Sequence, residues 1–197
     1  MAASGGGTPW RMYQRLADEE VPWEATEIFQ VDERIAPDGD PDRNLTDLEG
    51  SLPAEARGRL RPMPVTDRDP EVAAARYDAN LPPSLDLVHL GLGPDGHTAS
   101  LVPGDPVLEV ADRRVAVTGA EYQGRRRMTL TYPALAAANR ILWLVTGEDK
   151  RDALARLLSG DRAIPAGRVE ARDCVVVADR PAAADLGRLG GCDSESA

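Results

Sequence analysis

Two cysteines, one phenylalanine and a single lysine in 197 residues are the scarcities that first constrain this chain. Two cysteines do not build a disulfide framework. Cys174 stands in the apolar run from Cys174 to Ala178 and Cys192 in a polar stretch, so a buried thiol and an exposed one are expected, in a reducing cytoplasm. None is needed, because a chain of this length removes roughly 70% of its unfolded surface from water and holds a core without disulfide or metal. Aromatic residues make up only 4% and the formal net charge is −10. Both argue against nucleic acid as a partner, which calls for a cationic face and stacking side chains. No run approaches the roughly 18 continuous apolar residues of a membrane helix, and no basic segment leads into an apolar one at the N-terminus. A soluble, unexported protein with no membrane partner is expected.

With 42% hydrophobic residues, residues 1–181 read as one α/β domain. From Ala182 the chain loses periodicity and gathers Gly, Ser and Asp, so residues 182–197 read as a mobile tail. Thr8-Pro9 opens a helix to about Leu16, threonine capping and proline in the first turn. Glu27 to Val31 reads as a strand ending at Asp32-Glu33-Arg34, and Asn44 caps a short helix. The alanine-rich run from Pro70 to Leu81 is helical. Leu85 to Leu92 is a near-continuous apolar strand that stops at Gly91-Leu92-Gly93-Pro94. Val115 to Thr118, Arg127 to Tyr132, Ile141 to Thr146 and Val175 to Ala178 are further strands. Pro133 to Asn139 and Asp149 to Leu158 are helices, the second closed by Gly160. Alternating strands and helices imply a Rossmann-like, largely parallel sheet flanked by helices, whose ligands lie at the carboxyl ends of strands.

The polar loops carry the chemistry. Gly5, Gly6, Gly7 and Thr8 precede a helix start, where backbone N–H groups and partial positive charge favour an anion such as phosphate. No Gly-Lys-Ser/Thr ending makes this a P-loop, and an ordinary glycine turn is the plain alternative. Gly91 to Gly96 spells G-x-G-x-x-G, but Pro103 arrives too soon for the long helix that a dinucleotide site requires. Within that loop Asp95 and His97 stand two apart. Histidine as a residue type titrates near pH 6.5 and can take a proton from water, with a nearby carboxylate to orient it. The competing reading is a loop histidine that satisfies a turn. His89, inside the apolar strand, reads as a satisfied core residue without a role. Asp32, Glu33 and Arg34 are either a solvated charge cluster or a phosphate grip. Lys150, the lone lysine, and one or two of Arg125, Arg126 and Arg127 complete the cationic candidates.

Taken in order, these segments resemble the 6-phosphogluconolactonases: Ser4-Gly5-Gly6-Gly7-Thr8-Pro9, Asp32-Glu33-Arg34, Gly91 through Ser100, Arg127-Met128-Thr129-Leu130-Thr131 and Gly147-Glu148-Asp149-Lys150. The resemblance runs from about Ser4 to Arg180. It implies the sugar-phosphate isomerase/lactonase fold and hydrolysis of 6-phosphoglucono-1,5-lactone in the oxidative pentose phosphate pathway, without cofactor or metal. His97 and Asp95 would be catalytic, and Gly5, Gly6, Gly7, Thr8, Asp32, Glu33, Arg34, Arg127 and Lys150 would bind substrate. Related amino-sugar phosphate deaminases carry an extra carboxylate where this chain has Ser100-Leu101-Val102-Pro103, which favours the lactonase. Family members place a helix and a strand before the glycine loop, and this chain is expected to lack both. A sugar-phosphate-binding protein without activity is the remaining alternative.

Overall fold

In the computed structural model, which describes residues 1–186, two sheets share the chain. The larger has six strands, all parallel, built from β1 (Ala2–Ala3), β2 (Ile28–Gln30), β4 (Leu60–Arg61), β5 (Leu87–Leu90), β8 (Arg140–Val145) and β9 (Cys174–Ala178). Their order across the sheet is β4-β2-β1-β5-β8-β9. The smaller is antiparallel, with β7 (Arg127–Leu130) between β3 (Asp32–Arg34) and β6 (Val115–Val117). Asp32-Glu33-Arg34 is therefore a strand of this second sheet and not the frayed end of the first.

The strand order puts the site in place. From β1 the chain moves outward through β2 to β4, whereas from β5 it moves outward the other way through β8 to β9. The reversal lies between β1 and β5. Loops leaving the carboxyl ends of these two strands turn to opposite sides, and a crevice opens where they part. The first strand, expected to be missing, is present as the stub Ala2–Ala3, paired with Phe29 and Gln30 on one side and Val88 on the other. Alternation along the strands divides the core into two layers. Ala2, Phe29, Val88, Leu90, Ile141 and Trp143 pack on one face. Ala3 and Ile28 face the other, with Tyr13, Trp23, Leu48 and Leu60.

Helices α1 (Trp10–Arg15), α2 (Asn44–Ser51), α3 (Ala54–Arg57), α4 (Pro70–Asn80), α5 (Tyr132–Ala136) and α6 (Arg151–Leu158) fill the connections. Asp69 caps α4, accepting from the amides of Glu71 and Val72 with Pro70 in the first turn. Two expected caps do not form. Thr8 stands 3.3 Å from the Thr146 hydroxyl instead of capping α1, which starts after Pro9. Asn44 is the first residue of α2 and turns its amide to Asp32, while the α2 amides of Asn44 and Leu45 both donate to the Glu33 carboxylate at 2.8 Å.

Glu33 is thus structural, not the substrate ligand that was expected. It is fully buried, takes further hydrogen bonds from Gln30 Nε2 and the Arg34 amide, and pairs with the buried Arg43 at 3.2 Å. Cys174 also departs from expectation: it is an exposed, free thiol, because β9 is the edge strand and leaves Val175 and Val177 half uncovered. Of the segment read as a mobile tail, residues 182–186 turn back onto the body. Ala182 is buried with its amide on Asp179, and Asp185 approaches Arg151. Residues 187–197 lie outside the described residues. No helix among the described residues is long and apolar enough to cross a membrane.

Removing one partner of a buried ion pair leaves the other charge uncompensated. Glu33→Ala, which removes the buried partner of Arg43, leaving it only the exposed Asp38 as an ion partner, and strips two helix amides of their acceptor, is therefore expected to cost roughly 3–5 kcal/mol in denaturant unfolding. A loss below about 1 kcal/mol would show that the pair contributes little beyond a surface contact.

Candidate active site

Three loops leaving the carboxyl edge of the large sheet, together with residues of β3 and β7, enclose a cleft of about 190 Å³. Its walls include Gly5, Gly6, Gly7 and Thr8 after β1, Asp32 and Arg34 of β3, and Gly93 and His97 after β5. Arg127 of β7 and Lys150, beyond β8, complete it. Of the eleven residues singled out in the sequence, Glu33 and Asp95 do not line this space. Glu33 is committed to α2, and Asp95 stands behind His97.

His97 and Asp95 form a hydrogen-bonded pair at the cleft. Asp95 Oδ1 lies 2.5 Å from His97 Nδ1 and also accepts the His97 amide at 3.1 Å. Burial pushes the Asp95 carboxyl up, but hydrogen bonds from the His97 amide and the nearby ring outweigh it and hold the group below its usual range. An ionised carboxylate can only accept, so the neutral imidazole carries its proton on Nδ1 and keeps the Nε2 lone pair for a ligand. The pair sits against bare main chain: a Cβ on Gly93 would overlap the imidazole and contact the Asp95 carboxylate. Gly96 takes φ +81°, and Ala99, a non-glycine residue on the cleft wall, takes φ +50°.

The cations of the cleft come from β3, β7 and the segment after β8. Arg127 is 4% exposed, with its Nη2 on the Tyr122 carbonyl and Gln123 Oε1, its Nη1 4.0 Å from Asp32, and its Nε without a hydrogen-bond partner among the described residues. Burial lowers its pKa, with the Asp32 charge working against that shift. Arg34 donates to the Asp42 carbonyl, and Lys150 pairs at 2.8 Å with Asp149, itself well exposed. A buried guanidinium with so little local neutralisation has capacity for an added anion.

Several residues that hold the site gave no sequence signal. Ser100, fully buried, donates to Asp32 at 2.6 Å, and burial raises the Asp32 pKa against that bond. Asn44 packs so tightly under Gly5 that a Cβ there would overlap it. Tyr122 reaches Asp95 and His97 from a hairpin before β7. A buried serine three residues after a histidine and an asparagine at a helix start are indistinguishable by pattern from ordinary loop residues.

Residues 1–177 match the family model described as glucosamine-6-phosphate isomerases/6-phosphogluconolactonase. The chain belongs to this family. Among its relatives are proteins named 6-phosphogluconolactonase from a Nostoc species, 35% identical over 175 residues, and from a Synechocystis species, 37% identical over 174. Each alignment covers 81% of this chain and 71% of the relative. The solved 6-phosphogluconolactonase of Thermotoga maritima superposes with a TM-score of 0.80 at 28% identity, covering 90% of this chain and 84% of that one. The family fold expected from the loop motifs is the fold observed.

His89, on β5, is only in part the satisfied core residue expected. Its Nδ1 meets the Tyr13 hydroxyl at 3.0 Å, but its buried Nε2 has no partner among the described residues, and burial lowers its pKa to about 4. The folded protein therefore refuses a proton that the unfolded chain accepts near pH 6.5. This contribution is intact above about pH 6.5, fades as pH falls toward about 4, and amounts to about 3 kcal/mol at most. Stability measured against pH should fall less steeply in His89→Leu than in the wild type across that window. Parallel curves would mean that His89 does not titrate with unfolding.

Proposed function

We propose that the cleft hydrolyses 6-phosphoglucono-1,5-lactone to 6-phosphogluconate, with His97 as the base that activates water. The observation that carries this reading is the oriented His97–Asp95 pair facing a cleft whose buried Arg127 is incompletely neutralised. The names of the relatives point to the same reaction.

The phosphate would be held by the amides of Gly5 to Thr8, by Arg127 and Arg34, and by Lys150 as a point charge. Asp32 accepts a sugar hydroxyl beside them. With the dianion fixed at one end, the lactone carbonyl lies near His97. Nε2 takes a proton from water as its oxygen bonds to the carbonyl carbon. The tetrahedral oxyanion then collapses, the bond to the ring oxygen breaks, and the imidazolium returns the proton to that oxygen. Asp95 keeps the Nδ1 tautomer and stabilises the transient imidazolium. The balance closes with one water added, and neither metal nor nicotinamide has a step to perform. The setting we infer is the cytoplasm, which suits the free Cys174 thiol.

Acid release from freshly prepared 6-phosphoglucono-1,5-lactone, measured above its spontaneous hydrolysis, tests substrate and reaction together. Ammonia release from glucosamine 6-phosphate tests the amino-sugar branch of the family, for which Ser100 to Pro103 supply no carboxylate. His97→Ala is expected to lower turnover about 10²- to 10⁴-fold with little change in phosphate affinity. Lys150→Ala should chiefly raise KM, and a loss confined to kcat would remove it from the binding set.

A further inference from the structure

Tyr122 stands at the tip of the hairpin that leads into β7, where the bridge between Tyr122 and Arg125 closes a turn through Gln123 and Gly124, both at positive φ. Its side chain touches three residues of the site described above. The hydroxyl lies 3.3 Å from Asp95 Oδ2, the carboxylate oxygen that His97 does not use, and 3.4 Å from His97 Nδ1. Its ring meets the imidazole edge to face, with centroids 5.2 Å apart. The Arg127 guanidinium lies over the same ring, 5.0 Å from its centroid.

One side chain thus touches the candidate base, the carboxylate behind it and the most buried cation of the cleft. Because His97 already donates its Nδ1 proton to Asp95 Oδ1, the tyrosine O–H is left to donate to Oδ2. Burial and the Asp95 charge both raise the phenol's pKa, so it keeps that proton at neutral pH. The side chain of Asp95 is 37% exposed and would otherwise be free to turn toward water. The same ring carries the Arg127 guanidinium, so the cation keeps a fixed orientation beside the cleft.

We propose that Tyr122 is a positioning residue that locks the Asp95 carboxylate onto His97 while its ring holds Arg127 for the substrate's phosphate. The inference rests on the lactone-hydrolase reading and assigns separate tasks to the hydroxyl and the ring. Tyr122→Phe removes only the first, and kcat should fall about tenfold, the scale of one hydrogen bond to a charged group, with KM and melting temperature nearly unchanged. Tyr122→Ala should lower kcat likewise and also raise KM. In an Asp95→Asn background the added Tyr122→Phe should cost little further, because the two act as a unit. Wild-type kcat in Tyr122→Phe, or a full additional loss in that background, overturns the proposal. A wild type inert toward the lactone would instead overturn the hydrolase reading. In that event the His97 Nδ1 proton resonance still tests the coupling without turnover: a shift in Tyr122→Phe supports it, and an unmoved resonance overturns it.

Discussion

The chemistry proposed for this cleft depends on an imidazole lying against main chain that has no side chain in the way. Gly93 leaves the space that His97 and Asp95 occupy, Gly96 supplies the left-handed turn between them, and a Cβ on Gly96 would overlap Ile164. The same loop is tied down from outside, since the Gly96 carbonyl accepts from the Ala166 amide, and it is closed within by the Gly93 amide donating to the His97 carbonyl. A base held this way loses little entropy when a ligand arrives, because its rotamer and tautomer are already chosen.

The loop would have nothing to face without the strand reversal between β1 and β5. Six parallel strands bring the glycine turn, the Asp95–His97 loop and the approach to Lys150 out at one edge, and the small antiparallel sheet brings in Arg34 and Arg127. What joins the two sheets is polar and buried. Glu33 caps α2 and pairs with Arg43, Asn44 links Asp32 to the floor of the glycine turn, and Ser100 joins the histidine loop to Asp32. Such a network stabilises little against an apolar equivalent, but it admits few alternative arrangements, which suits a site whose parts come from five loops and strands.

The site was legible in sequence to the extent that its chemistry is local. His97 and Asp95 are two residues apart, the glycine turn is contiguous, and a lone lysine is conspicuous by count. Glu33 shows where local reading stops: a charged residue between Asp32 and Arg34 reads as a ligand, and only the arrival of α2 eleven residues later turns it into a helix cap. Cys174 fails for the matching reason. Cys-Val-Val-Val-Ala describes a strand with apolar neighbours, and nothing in those five residues tells an edge from a centre. Tyr122, Ser100 and Asn44 matter through partners 25 or more, 68 and 12 residues away, distances that periodicity and capping rules do not span. The stub Ala2–Ala3 was missed because two alanines carry no strand pattern, although their small size suits a central position between packed layers.

A protein of net charge −10 that binds a dianion has to arrange its attraction at short range. Beyond about 8 Å the repulsion is screened at physiological salt, so affinity is decided by what lies within the cleft. There the cations are unequal. Arg34 and Lys150 retain nearby oxygen partners that water can replace, whereas Arg127 is buried, far from full neutralisation and cushioned on an aromatic ring. In the proposed complex the phosphate would complete the charge of this least compensated and most buried cation. The cost of holding Arg127 out of water is offset in part by Asp32, by the Tyr122 carbonyl and Gln123 Oε1, and by the Tyr122 ring, before any ligand binds.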